Sequence, residues 1–519
     1  MPPVEAQRDT APADVCLVLE GTYPYVQGGV STWVHDLIGS LPETRFALVH
    51  IGPEPGAYKR RRYALPANAV SLRDLYCRES TARGGEVAAR LRSALAARHR
   101  HARVRGSSRV LDGIRRLHLE DTIDASLLDD LAGGDLPVGA FLHGRAAFDL
   151  AMELYERLAP GAALVDFFWH FRSMHAPLVR LLEAPQPAAD TYHAVCTGYA
   201  GMLAAIWSRR AGRPLLLTEH GLYARERKLE LDRADWFRGP GRTVDDSTAS
   251  ALRAMWIRFF RILARCAYTR AATVVSLCEA NRAKQIADGA PAERTVVVPN
   301  GIDLERLLGA YPARRVDPAS TKRMRVGFVG RLVPIKDVVT FIRAVFLAQQ
   351  GIELEAKVIG PIDEDRQYAL RCRRLVTKLG LAHRVHFVDA LPLDRLYSEI
   401  DVLVLTSFSE AQPLVILEAG AAGIPVVASD VGACRELLEG GSDVDRGIGP
   451  SGIVTRLAAP EETAAAILRL ARDPELRRAM AAAGQRRVAT FYRKNATIAA
   501  YRALYLEGSW QASAGVSSA

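Results

Sequence analysis

SFSEAQPLVILEAGAAGIPVVASD, residues 407–430, decides how this chain is read. It follows the apolar run DVLVLT (401–406), which reads as a buried parallel strand. A loop then carries Glu410 up to Pro413, a residue suited to a helix start because its missing N–H would go unpaired there. A helix is expected over 414–422, closed by Gly423, with a second apolar strand over 424–428. Strand, loop, helix, strand is the repeating unit of an α/β sheet. Glu410 lies in the loop and Glu418 inside the helix. A helix N-terminus presents free N–H groups and a positive dipole end, which favour an anion such as phosphate. Carboxylates beside it can accept hydrogen bonds from sugar and ribose hydroxyls. On spacing alone, an ordinary crossover with two solvated glutamates remains open.

Working back, the same half begins at MRVGFVG (324–330) and runs into GRLVPIKD (330–337). A strand ends there and a helix begins at Asp337 or just after. Arg331 and Lys336, five apart at a helix N-terminus, suit a diphosphate: the guanidinium binds bidentately and the ammonium acts as a point charge. Alternation continues with helices over 338–349, 366–379 and 393–400, strands over 353–359, 385–388 and 451–455, and Ala-rich helices over 461–507. The tail, 508–519, is Ser- and Gly-rich and reads as frayed.

The first half has the same grammar. A strand over 14–20 leads to a loop ending in Gly28 and Gly29, where backbone N–H groups can approach a ligand closely. A helix follows with Val30, Trp33, Val34, Leu37, Ile38 and Leu41 on one face, then a strand over 45–51. G-x-G-x-x-G is absent. Residues 60–135 read as an Arg- and Ala-rich, mostly helical insertion. Helical patterning continues over 141–182, where FFWHFRSMH (167–175) is expected to supply core aromatics; the roles of His170 and His175 stay open. Further strands are expected over 192–197, 214–218, 273–277 and 295–298, with a helix over 279–287. His220 stands at a strand tip, and its neighbours Glu219, Arg225 and Arg227 favour a functional reading over a core histidine. The polar stretch 304–324 is the expected domain boundary.

Composition bounds the answer. At 519 residues the chain exceeds one ordinary core, and 49% hydrophobic with 24% charged residues suits a globular protein. Seven scattered cysteines without C-x-x-C suit free thiols in a reducing compartment. No secretory apolar core and no run near ~18 apolar residues is found, so a cytoplasmic protein is expected. The net charge of +10 concentrates in residues 59–116, with 16 Lys and Arg against 4 Asp and Glu. A solvated helical face is the plain reading. Contact with an acidic partner or anionic membrane is the sharper one, and few aromatics argue against nucleic acid. Asp443-Val-Asp445 lies in a polar stretch, and no metal site is expected.

Gly330-Arg331…Lys336, Glu410…Glu418 and PNGID (299–303) together resemble the retaining family 4 glycosyltransferases of the GT-B fold. The resemblance implies two Rossmann-like domains facing across a cleft. One would span 1–308, with the insertion at about 60–135 and the helix at about 491–507 packed back on it. The other would span 309–490 and bind the nucleotide sugar. EGTYPYVQGGVSTWVHDLI, FFWHFRSMHAPL, TEHGLYARERK and SLCEANRAKQIADGA narrow it to the PelF-like cytosolic transferases of Pel exopolysaccharide synthesis. The implied donor is a UDP-sugar, UDP-glucose by resemblance, with no cofactor and no metal. The implied acceptor is a polysaccharide. The implied partner is an inner-membrane Pel complex, reached through segment 59–116. Arg331 and Lys336 would hold the diphosphate and stabilise its developing charge. Glu418 would bind the ribose and Glu410 the donor sugar. Backbone around Gln412, Pro413 and Leu414 would touch sugar or phosphate. Gly28 and Gly29 would approach diphosphate and acceptor, and His220 the donor sugar. Many members carry T-x-H-D where this chain has Thr218-Glu219-His220-Gly221, so a role for that aspartate has no counterpart here. A UDP-sugar 2-epimerase on the same fold, or a non-catalytic scaffold, is the alternative.

Overall fold

The computed structural model describes residues 12–78, 104–120, 125–233, 246–310 and 323–507, apart from 363, 390 and 392. Contacts divide the chain into two compact units. The first comprises Met1–Ser276, Lys284–Val296 and the chain from Tyr501; the second comprises Leu277–Ala283 and Val297–Ala500, so the division falls at Val297 rather than in 304–324, and only the end of the 491–507 helix belongs to the first unit.

The first unit is built on β1 (Ala13–Glu20), β2 (Phe46–Gly52), β3 (Ala69–Tyr76), β4 (Ala189–Ala194), β5 (Leu215–Thr218), β6 (Thr273–Ser276) and β7 (Thr295–Val297), in the spatial order β3-β2-β1-β4-β5-β6-β7. β2 is buried at every residue, as a parallel strand covered on both faces must be. β3 corrects the helical reading of 60–135. It pairs parallel with β2 from Phe46↔Ala69 to Gly52↔Tyr76 and forms the sheet edge. Its sequence, AVSLRDLY, is half-buried along its whole length, so it lacks the apolar run that marks an interior strand. Asn68 anchors its start by donating from Nδ2 towards the carbonyls of Ile38, Leu41 and Thr44 at 2.8–3.0 Å. Helices Val104–Leu119 and Ala125–Gly133 occupy the later part of the expected insertion, and 79–103 lies outside the described residues.

The aromatic stretch sits in helix Leu164–Leu182, which buries Phe167, Phe171, Met174 and His175. His175 is a core residue: Nδ1 bonds the Phe171 carbonyl at 2.8 Å and Nε2 meets His118 Nε2 at 2.9 Å. His193, on β4, is equally enclosed, between Tyr505 Oη at 2.7 Å and Thr218 Oγ1 at 2.9 Å. Burial holds His175 neutral down to about pH 4 and His193 down to about pH 3. In the unfolded chain both titrate near 6.5. Between these limits the unfolded state binds more protons, so stability is complete above pH 6.5 and is lost as pH falls. Each histidine is expected to contribute up to ~1.4 kcal/mol per pH unit over its window. Thermal unfolding followed from pH 7 to pH 4.5 checks this, and His175→Phe should flatten the slope.

The second unit has β8 (Met324–Val329), β9 (Leu354–Ile359), β10 (Val385–Val388), β11 (Val402–Leu405), β12 (Val426–Ser429) and β13 (Gly452–Thr455), ordered β10-β9-β8-β11-β12-β13. Counted within the unit this is 3-2-1-4-5-6, the doubly wound dinucleotide-fold order, and the first sheet follows it with one strand added. The chain is therefore α/β with two Rossmann-like units. Such sheets bind ligands beyond the carboxyl ends of the strands where the order reverses. Those points lie between β1 and β4 in the first unit and between β8 and β11 in the second.

Asp445 is a second correction. It belongs to the short helix Asp443–Arg446 and is 3% exposed, although the stretch around it is polar. Its carboxylate accepts from Arg487 Nε at 2.6 Å and from the Gly441 amide at 3.0 Å.

Candidate functional site

β8 ends beside β11, and the two loops that follow carry the candidate residues. After Gly330 the chain makes a tight turn, Pro334–Lys336, and enters helix Val338–Ala348 through Asp337. The Asp337 carboxylate caps this helix, accepting from the Thr340 amide at 3.2 Å and from Thr340 Oγ1 at 2.6 Å. Thr406, just past β11, donates from Oγ1 to the Asp337 carbonyl at 2.8 Å. That bond ties the two loops together and fixes the backbone from which Lys336 projects. Lys336 Nζ donates to Glu410 Oε1 at 2.5 Å, and Ser407 Oγ donates to the same oxygen at 2.6 Å. The pair is largely enclosed, with side-chain exposures of 19% for Lys336 and 9% for Glu410. Oε1 is thus saturated, while Oε2 receives no hydrogen bond among the described residues.

Pro413 caps helix Leu414–Ala421, and the amides of Leu414 and Val415 have no bonded acceptor among the described residues. Gln412 is turned away from them. Its Oε1 accepts from the Asn300 amide at 2.6 Å, so its side chain holds the 299–303 loop and leaves only its backbone for a ligand. Glu418, one turn into the helix, accepts from Tyr397 Oη at 2.6 Å. Burial pushes its carboxyl pKa up, against the opposing pull of that phenol. Arg331 is placed differently from Lys336. Its guanidinium pairs with Glu364, both side chains being nearly half exposed, and no bond joins it to Glu410 or Glu418.

Three residues of this site went unassigned from sequence. Ser407 had a signal in the S-x-x-E spacing. Glu364, the counter-ion of Arg331, had none. Gly432 follows β12 with φ +53°, and a Cβ there would lie 2.0 Å from the Glu410 carbonyl oxygen and 2.6 Å from that of Ala411. Gly432→Ala is expected to push the 410–411 backbone out of place. Ligand affinity at this site should fall at least ~10-fold, a cost on the scale of overpacking, with calorimetry as the readout.

In the first unit, Gly28 precedes helix Gly29–Gly39 in extended backbone, and nothing lies within 4 Å of a Cβ built on Gly28 or Gly29. His220 follows β5, its ring 4.3 Å from that of Trp33. Its Nε2 is buried without a hydrogen-bond partner among the described residues, and burial lowers the imidazole pKa to about 3. It is neutral at working pH. The charged neighbours that favoured a functional reading are structural. Glu219 is 2% exposed and accepts from Thr197, Tyr268 and Gln285 side chains and from the Tyr223 amide, at 2.5–3.1 Å. Arg225 forks onto Asp288 at 2.7 and 2.9 Å, and Arg227 lies over the Tyr223 ring and pairs with Glu230. At this unit's own reversal point the chain supplies the anion itself. Glu20 accepts from the Ala200 amide, at the start of helix Tyr199–Ala211, at 3.0 Å and from Tyr223 Oη at 2.7 Å. Among the described residues no cluster of three or more His, Cys, Asp or Glu is placed to hold a metal ion, and no helix is long and apolar enough to cross a membrane.

The two Rossmann-like units have the GT-B fold, and residues 312–487 match the family described as Glycosyl transferases group 1. Residues 13–293 match the family described as Domain of unknown function (DUF3492), and the chain belongs to that family. Among similar proteins is a D-inositol 3-phosphate glycosyltransferase of Geodermatophilus obscurus, 32% identical over 239 residues, covering 44% of this chain and 50% of that protein. The chain spans about half the length of the curated relatives it matches. The fold is shared with HepE of Anabaena, solved with UDP (TM-score 0.55, 17% identity, 95% of this chain and 99% of that one). It is shared too with sucrose-phosphate synthase of Thermosynechococcus elongatus (TM-score 0.55, 18% identity, 95% and 98%).

Proposed function

We propose that this protein is a retaining, metal-independent hexosyltransferase. It moves a hexose from a UDP-sugar, UDP-glucose in the first instance, onto a growing exopolysaccharide of the Pel type. The observation that carries the reading is the Lys336–Glu410–Ser407 constellation at the reversal point of the second sheet, in the same loop-and-helix segment as the amides of Leu414 and Val415, which have no bonded acceptor among the described residues. In this reading the Leu414 helix terminus and Lys336 take the diphosphate, and its negative charge grows as the glycosidic bond breaks. Arg331 joins them by leaving Glu364. Glu410 Oε2, the free oxygen, accepts from donor sugar hydroxyls, while Ser407 and Lys336 hold the carboxylate in its rotamer. Glu418 takes the ribose diol. By the family resemblance alone, His220, neutral, would contact the donor sugar and Gly28 and Gly29 the acceptor. The neighbours solved or named with UDP and glycosyl transfer support the class of donor. The PelF-like sequence stretches support the polymer and a peripheral place at an inner-membrane complex.

Titration calorimetry with UDP, GDP and ADP, then a UDP-sugar hydrolysis panel with and without EDTA, tests this. UDP is expected to bind best and EDTA to leave turnover unchanged. Equal affinity for the three nucleotides, or isomerisation of free UDP-sugar without UDP release, would overturn it.

A further inference from the structure

The aromatic stretch 167–175 has a second face that the proposed activity leaves unused. Helix Leu164–Leu182 turns Phe167 and Phe171 into the core. Its opposite side exposes Val165 (63%) and Trp169 (58%), with Phe168 half-buried between. Phe148, on helix Arg145–Leu158, is 44% exposed, and its ring lies 6.2 Å from that of Phe168. Positions 165, 168, 169 and 172 recur at helical spacing, so they form one stripe. Large apolar side chains are stabilised by leaving water, and this fold leaves Val165, Trp169 and Phe148 substantially exposed to it.

Beside the stripe is a groove of about 330 Å³, floored by Phe141 and Phe171 and walled by Phe148, Phe168 and Arg172. Its size suits one or two apolar side chains rather than a flat surface. The Arg172 guanidinium lies 5.5 Å from the ring centres of both Phe168 and Trp169. It has no carboxylate partner among the described residues, and partial burial lowers its pKa. Arginines on the helices packed nearby have acids: Arg145 with Asp149 at 2.7 Å, Arg157 with Glu153 at 3.4 Å, Arg115 with Glu153 at 2.9 Å. A guanidinium stacked on aromatics, with no acid paired to it among the described residues, can accept an acid supplied from outside.

We infer that this stripe and groove form a docking surface for a partner protein's peptide segment, which inserts an apolar side chain beside Phe148 and Phe168 and places a carboxylate on Arg172. Aromatic anchors next to an arginine are the composition of binding hot spots. The surface lies wholly within the first unit and is separate from the residues of the proposed transferase site.

The test selects 12-residue peptides from a random display library against the full-length protein. The best peptide is then measured by fluorescence polarisation. Selected sequences are expected to share an apolar residue followed closely by Asp or Glu. Arg172→Glu should weaken the best peptide at least ~10-fold, the scale of a lost charge-assisted pair, and an Asp/Glu→Lys peptide should recover affinity for that variant. Trp169→Ser should weaken both peptides, with UDP affinity unchanged as the check on folding. Selected peptides without an acid, or affinity indifferent to both variants, would overturn the inference. So would Trp169-dependent binding to 30% anionic phosphatidylglycerol vesicles in place of peptide, or Trp169-dependent self-association, because either assigns the face to another occupant.

Discussion

Lys336→Ala is expected to lower kcat/KM for the UDP-sugar donor by about 10²–10³-fold, the cost of removing one preorganised group that meets developing charge. The loss should fall on kcat as well as on UDP affinity, since the diphosphate is more negative in the transition state than in the bound donor. Lys336 also neutralises a carboxylate that is only 9% exposed. Its removal leaves Glu410 with the Ser407 hydroxyl alone, a carboxylate stripped of its counter-ion in a largely enclosed place. Lys336→Arg should rescue poorly, because a planar fork cannot replace a point charge at 2.5 Å. Ser407→Ala, which removes one neutral donor from the same oxygen, is expected to cost only ~10-fold. Steady-state kinetics with calorimetry for UDP reads all three. A Lys336→Ala enzyme with unchanged kcat would remove this residue from the mechanism.

Arg487→Ala should destabilise the second unit by about 3–5 kcal/mol, the cost of leaving one member of a buried ion pair without the other. Arg487 is 1% exposed. Beyond Asp445 it donates to the carbonyls of Leu438 at 3.0 Å and Gly449 at 2.9 Å and to Ser451 Oγ at 3.0 Å. The substitution therefore strands a carboxylate and several acceptors together. The midpoint of second-unit unfolding should fall by roughly 10 °C on the usual scaling for a unit of this size. Arg487→Met combined with Asp445→Leu should recover much of the loss, because the uncompensated charge goes with its partner. Differential scanning calorimetry decides. A single variant within ~1 kcal/mol of the parent would mean the pair contributes little.

The second sheet was legible because its interior strands are short apolar runs bounded by turn residues. Val402–Leu405 and Val426–Ser429 lie almost where the periodicity put them. β3 was not legible. An edge strand carries polar residues on its open side, and AVSLRDLY sits among arginines that suggest a helix. The aromatic stretch was half legible: Phe167 and Phe171 are core, but nothing in the letters marked Trp169 as the outward member. For Glu219 and Arg225 the residue type suggested chemistry, and the partners that absorb it, Tyr268, Gln285 and Asp288, lie tens of residues away.

By itself the sequence determined the α/β class and the loops that carry Lys336, Glu410 and Glu418. Those follow from local periodicity and from which residues can start or end a strand or helix. Only the tertiary structure decided which of these groups meet. The parallel pairing of β8 with β11 brings Lys336 and Ser407, 71 positions apart, onto one oxygen of Glu410, while Arg331, on the same loop as Lys336, is held by Glu364. Spacing along a chain sets which side chains are available; strand order and register set which of them share a charge.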